Sequence, residues 1–213
     1  MRSASLLPRL SVTAVGCLAL VGLSASPGVA ADTPLALDCQ AKPPVISAQT
    51  FDLDAGVAAE APESVASGEA FDIALSPAPI TVPGSLNGYT IKSIKEIKLR
   101  ADLPSDATVT GHRLSGGSGT GSGTPSVAIS GDQIVMTVPG PINGGSTFTL
   151  PTLTLDLVAG DSGGTVTTRL AGSSYSSPGL TFTARVPILF FEADVPTSCY
   201  PAPSPVLSST RID

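Results

Sequence analysis

Ser162 is the residue of this 213-residue chain that most invites a chemical reading. It sits in Gly160-Asp161-Ser162-Gly163-Gly164, the pattern around the acyl-forming serine of serine proteases, and the same five residues satisfy the Gly-x-Ser-x-Gly rule of α/β hydrolases. A serine becomes a nucleophile when a histidine takes its proton and a buried acid orients that histidine. The chain contains one histidine, His112, with Asp132 or Asp156 as nominal third members. His112 lies in Thr110-Gly111-His112-Arg113-Leu114, directly before a Gly/Ser-rich stretch, and the chain from Arg113 to Asp161 is too short to build two barrels around a triad. The α/β-hydrolase reading fails sooner, because no histidine follows Ser162. We therefore expect no catalytic residues. Thr152 to Ala159 and Thr165 to Ala171 alternate as strands, and Gly160 to Gly164 reads as a hairpin turn whose glycines permit positive φ.

Other groups carry weaker signals. Lys92, Lys95 and Lys98 form the one basic cluster; they could contact an anion, but a solvated edge strand is the simpler reading. Asp52-Leu53-Asp54 places two carboxylates on one strand face without the Asp/Asn-rich loop and closing Glu of a calcium site, so no metal is expected. Ser115 to Thr124 (SGGSGTGSGT) reads as a flexible loop. It lacks the Gly-Lys-Ser/Thr of a phosphate loop and the following helix of a dinucleotide site, so no cofactor is expected. The absence of tryptophan leaves glycan binding unsupported, since sugars are usually stacked on exposed aromatics.

The compartment is more legible. Residues 1–31 read as an export signal: Arg2 and Arg9, an apolar run from Leu10 to Ala25, and small residues at Val29-Ala30-Ala31. Val15-Gly16-Cys17 resembles the end of a lipobox, but apolar residues continue past Cys17, so lipid anchoring there stays an open alternative. Cleavage would leave 9 basic against 17 acidic residues, a net charge of −8 that repels phosphate backbones, so no nucleic-acid partner is expected. No later segment is apolar for the ~18 residues that a transmembrane span needs. Cys39 and Cys199 remain near opposite ends, and in an oxidising compartment such a pair is most simply one disulfide.

The elements that must position these residues are strands. Gly and Pro are frequent and Thr, Val, Ile and Leu dominate the apolar stretches. Short β-type runs span Val45–Leu53, Ala70–Leu75, Ile80–Val82, Ile97–Leu103, Val127–Ile129, Gln133–Val138, Phe148–Val158, Thr165–Leu170, Leu180–Val186 and Ile188–Val195. Ile188-Leu189-Phe190-Phe191 is continuously apolar and reads as a central strand covered on both faces. Ile91, Ile94 and Ile97 are spaced by three before a spacing of two sets in, which suggests a turn or short helical segment feeding a strand near Glu96. Thr81-Val82-Pro83-Gly84-Ser85-Leu86-Asn87-Gly88 returns as Thr137-Val138-Pro139-Gly140-Pro141-Ile142-Asn143-Gly144, suggesting a duplicated strand-turn-strand unit, with two similar turns as the alternative. The tail Tyr200–Asp213, with Pro201, Pro203 and Pro205, reads as extended and mobile. The expected fold is an all-β antiparallel sandwich over residues 32–199, stapled by Cys39–Cys199.

Leu170-Ala171-Gly172-Ser173-Ser174-Tyr175-Ser176-Ser177-Pro178-Gly179-Leu180-Thr181-Phe182, with Val138-Pro139-Gly140-Pro141-Ile142, resembles immunoglobulin-like β-sandwich proteins secreted by high-GC Gram-positive (actinobacterial) species. The resemblance implies an exported or envelope-associated domain and carries no functional residues. It departs from immunoglobulin domains proper in lacking the Cys-Trp-Cys core. Two functions follow as expectations. The first is a non-enzymatic interaction module that binds an envelope component or protein and has a filled core. The alternative is a carrier of an apolar ligand such as a lipid, with a cavity lined by Ile, Leu and Phe. A hydrolase using Ser162 stands third.

Overall fold

The computed structural model describes residues 32–213; the expected export signal and Cys17 lie outside them. The chain forms β1 (Asp32–Ala41), β2 (Gln49–Glu60), β3 (Ser64–Val65), β4 (Ala70–Pro77), β5 (Ile80–Thr81), β6 (Ser85–Leu86), β7 (Tyr89–Thr90), β8 (Ser93–Asp102) and β9 (Ala107–Ser115). It continues with β10 (Ser126–Ser130), β11 (Gln133–Val138), β12 (Ile142–Asn143), β13 (Thr147–Phe148), β14 (Thr152–Ala159), β15 (Thr165–Arg169), β16 (Leu180–Ile188), β17 (Phe191–Pro201) and β18 (Val206–Ile212).

Ten of these strands make one antiparallel sheet in the order β10-β11-β8-β16-β17-β1-β2-β4-β14-β9, with β12 added to β8. The terminal strands β9 and β10 meet again, so the sheet bends round until it is nearly closed and forms a sandwich whose two layers are continuous. Alternation drives this arrangement. Leu35, Leu37 and Cys39 in β1, Ile73 and Leu75 in β4, and Leu153, Leu155 and Leu157 in β14 all point inward and are buried. A second sheet of three strands, β15-β18-β3, packs against β2 and β8.

The disulfide expected between Cys39 and Cys199 is present, and both residues are fully buried. They face each other in register on the neighbouring strands β1 and β17, so the bond ties the beginning and end of the main sheet at its middle. It does not reach the last strand. The segment after Cys199 is no mobile tail: β18 pairs with β15 and, in parallel, with β3, and it buries Leu207, Thr210 and Ile212. The prolines hid this strand, because they precede its apolar alternation instead of interrupting it.

Three further expectations change. The mixed spacing resolves into one strand, β8, just after Ile91 and carrying a bulge: Glu96 adopts a left-handed conformation (φ 54°), and the pairing with β16 shifts between Thr181 and Thr183. One extra residue turns a spacing of two into three while Ile94 and Ile97 stay on the inner face. Ile188–Phe191 is no covered central strand: Ile188 ends β16 and pairs with Phe191, so Leu189 and Phe190 form a tight turn at the surface. The repeated octapeptides are not equivalent halves. Thr137-Val138 ends β11 and pairs with β8, whereas Thr81 pairs with Thr147 and the following residues form the β6–β7 hairpin. The first copy instead meets the residues that follow the second, with Val82 N–H donating to the Ser146 carbonyl at 2.9 Å and Gly145 N–H donating to the Val82 carbonyl at 2.8 Å.

Candidate functional site

The protease-like letters lie at a change of sheet. Gly160–Gly164 links β14 of the main sheet to β15 of the small sheet, so it is a crossover and not the expected hairpin; the flanking strands alternate but find different partners. Gly163 adopts φ 87° and donates to the Ile212 carbonyl at 2.8 Å, and Gly160 donates to the Asp106 carbonyl at 2.9 Å. A Cβ at position 160 would stand 2.8 Å from that same oxygen, so the backbone approach requires glycine there. Asp161 and Ser162 are exposed. His112 is exposed on β9, opposite Leu155, and the four residue steps from that level to Ala159 put about 13 Å of β14 ahead of the link. Asp156 is held by Arg113, which also bonds Asp72 at 3.0 Å, and Asp132 lies in the β10–β11 turn. The candidate triad members are therefore placed apart.

The lysines do not form an edge. β8 lies between β11 and β16, with Lys95 bonded to Asp194 at 2.9 Å and Asp194 bonded in turn to Arg185. Lys95 first, then Arg185, hold the Asp194 carboxyl below the ordinary carboxylate range. Lys92 and Lys98 are exposed, the former just ahead of β8. Asp52 and Asp54 sit exposed on β2; Asp38, the cross-strand partner of Asp52, accepts from the Tyr200 hydroxyl at 3.0 Å. Among the described residues no three His, Cys, Asp or Glu side chains converge as metal ligands.

The Gly/Ser stretch is anchored. Ser118 exchanges two backbone hydrogen bonds with Thr149, and a Cβ on Gly121 would stand 2.5 Å from the Pro141 carbonyl. Its glycines serve close packing as well as turning, which composition does not distinguish from flexibility.

The feature no motif announced lies between the layers. A cavity of about 220 Å³ runs along the inner faces of β1, β2, β8 and β16. The inward residues Leu180, Phe182, Ala184, Val186 and Ile188 of β16 alone give it a wall about 27 Å long. Leu170 and Leu207 close the end near Leu180. At the Ile188 end the wall contains Thr81, Pro83, Asn87 and Tyr89, which are exposed to solvent as well, so the cavity reaches the surface at the β5–β7 segment. Polar residues of the wall are few: Thr81, Asn87 and Tyr89 at this mouth, and, farther along, Gln49 and Thr197, both in register with Ala41, the Thr197 hydroxyl within 3.5 Å of the Val195 carbonyl. Phe51, Leu53, Leu99 and Phe182 have inward positions in alternating strands yet are only half-buried, because they face this space. Alternation in the sequence places such residues on an inner face; it does not say that the layers stand too far apart to meet.

Comparison with known proteins adds the fold. No protein family and no curated protein matches the chain. Among solved structures it is similar to a crystal structure from Corynebacterium diphtheriae described as a "putative membrane anchored protein", at TM-score 0.56 and 19% identity. The match covers 86% of this chain but only 38% of that one, and at such identity it speaks for the shared all-β fold alone.

Proposed function

We propose that this protein is a non-enzymatic module of the cell envelope or extracellular space that carries the apolar chain of a lipid between its sheets. The cavity is the observation that supports this reading. A structural module needs only a filled core at ordinary packing density. Apolar wall that meets no packing partner across this space forfeits the contacts of a filled core, which costs stability. A fold can carry that cost when a ligand offsets it. An engineered cavity of about 150 Å³ lined by Leu, Ile and Phe stays dry and takes up benzene, and the wall here has the same chemistry.

The placement of polar groups supports an amphipathic ligand. A chain seated between β2 and β16 would leave its head group at the mouth, beside Thr81, Asn87 and Tyr89. The neighbour's description as membrane anchored is compatible with an envelope setting, as is the apolar segment with small residues read in positions 1–31. Titration with cis-parinaric acid, which fluoresces in apolar surroundings, tests the proposal. Saturable binding of one probe per chain, reversed by palmitate, is expected. A fluorescence increase that does not saturate, or that palmitate leaves unchanged, would contradict it.

A further inference from the structure

We infer that the turn between β16 and β17 is a membrane-docking tip, and that it sets the mouth of the cavity against the surface of a lipid bilayer. Of the seven large apolar side chains exposed among the described residues, five gather at the mouth end: Val45 (54% exposed), Tyr89 (37%), Leu189 (80%), Phe190 (102%) and Phe191 (47%). Their neighbourhood follows from the pairing. β16 packs beside β7, which carries Tyr89. The β1–β2 loop, which carries Val45, lies along β17, with Lys42 N–H donating to the Pro196 carbonyl. Ile188 pairs with Phe191 and also lines the cavity, so apolar surface is continuous from the interior to the tip.

The turn chemistry is the second argument. A two-residue hairpin needs positive φ, which Asn and Gly supply without strain. Here Leu189 takes that position at φ 54°, where a bulky side chain is disfavoured, and the next residue is an entirely exposed phenylalanine. Neither choice serves a turn that merely reverses the chain in water. Both serve a tip that enters an apolar phase.

Size and charge favour a bilayer over a protein partner. A fully exposed phenylalanine offers about 150–250 Å², so one such ring and four partly exposed neighbours fall short of the ~800 Å² that each side of a stable protein interface buries. The carboxylates next to the tip, Glu192 and Asp194, are both paired with Arg185, and Asp194 with Lys95 as well. Lys92, whose N–H donates to the Arg185 carbonyl near this end of β16, forms no ion pair among the described residues and can face lipid phosphates.

The cavity reading supplies the purpose of the tip, but its test is separate. The full chain is floated with vesicles of phosphatidylcholine, alone or mixed with phosphatidylglycerol, beside the double variant Leu189→Asn/Phe190→Gly, which installs a favourable Asn-Gly turn and so spares the fold. The wild-type protein is expected to float with both vesicles, and the variant to lose roughly ten-fold or more of that affinity while still binding cis-parinaric acid. Because the chain has no tryptophan, Phe190→Trp is a lone reporter whose emission should move to shorter wavelength on vesicles. Wild-type protein that stays with the buffer, a double variant that floats equally well, or an indole emission that vesicles leave unmoved in Phe190→Trp would overturn the inference. So would light scattering that finds a dimer lost in the double variant, since the tip would then meet a second copy. Loss of parinaric acid binding with flotation intact would instead remove the carrier function and leave the docking tip standing.

Discussion

Ala55→Leu is expected to stabilise the protein by about 2 kcal/mol and to weaken uptake of an apolar chain in the same step. Ala55 lies on the inner face of β2, opposite Leu35 in β1, and both line the cavity. Leucine adds three carbons to this wall, each worth about 0.8 kcal/mol when buried. In a core already packed to crystal-like density the same addition forces neighbours aside and costs about 1–3 kcal/mol. The sign of the change therefore reports whether the layers enclose space. Ala184→Leu, which adds to the facing wall from β16, should behave alike. Urea unfolding of ligand-stripped protein measures the first effect and cis-parinaric acid titration the second. A lowered midpoint in both variants would mean that the two layers are closed on each other.

Removing the Cys39–Cys199 bond should cost about 3–5 kcal/mol. The bond closes a loop with a sequence separation of 160, for which the chain-entropy estimate is roughly 5 kcal/mol. Both cysteines are fully buried in the centre of the main sheet, where β1 joins the N-terminal part of the chain to β17. Domains of this size have only about 5–15 kcal/mol in hand. The double variant Cys39→Ala/Cys199→Ala, or the wild type under reductant, should show a urea midpoint much below that of the oxidised protein. Coincident midpoints would mean that the pairing of β1 with β17 is secured by the sheet alone.

Much of the framework could be read from residues. Alternation in Leu153–Leu157 placed β14, Asn87-Gly88 marked the β6–β7 hairpin, and the two distant cysteines announced their bond. What failed, failed for local reasons. Ile188–Phe191 has the composition of a buried strand, and only the pairing of Ile188 with Phe191 reveals a turn. The spacing of Ile91, Ile94 and Ile97 imitates a helical period because Ile91 precedes the strand and a bulge at Glu96 inserts one residue between Ile94 and Ile97. Gly160–Gly164 looked like a hairpin because strands flank it, whereas their partners belong to different sheets. β1 went unread because Pro34 and two aspartates interrupt its apolar residues.

The cavity was legible only as one of two expectations, and the reason is geometric. Burial of Ile97, Leu99 or Phe182 on an inner face follows from period-two alternation. The distance between the layers does not, since it depends on how the sheet bends between β8 and β2. The exposed tip and the half-buried wall belong to that level of the structure.

Native mass spectrometry of protein purified without detergent from its own host tests the carrier account most directly. The account predicts a complex heavier than the polypeptide by the mass of one lipid, which denaturation releases and which Ala55→Leu protein retains less. Polypeptide mass alone, in preparations that also fail to bind palmitate, would contradict it.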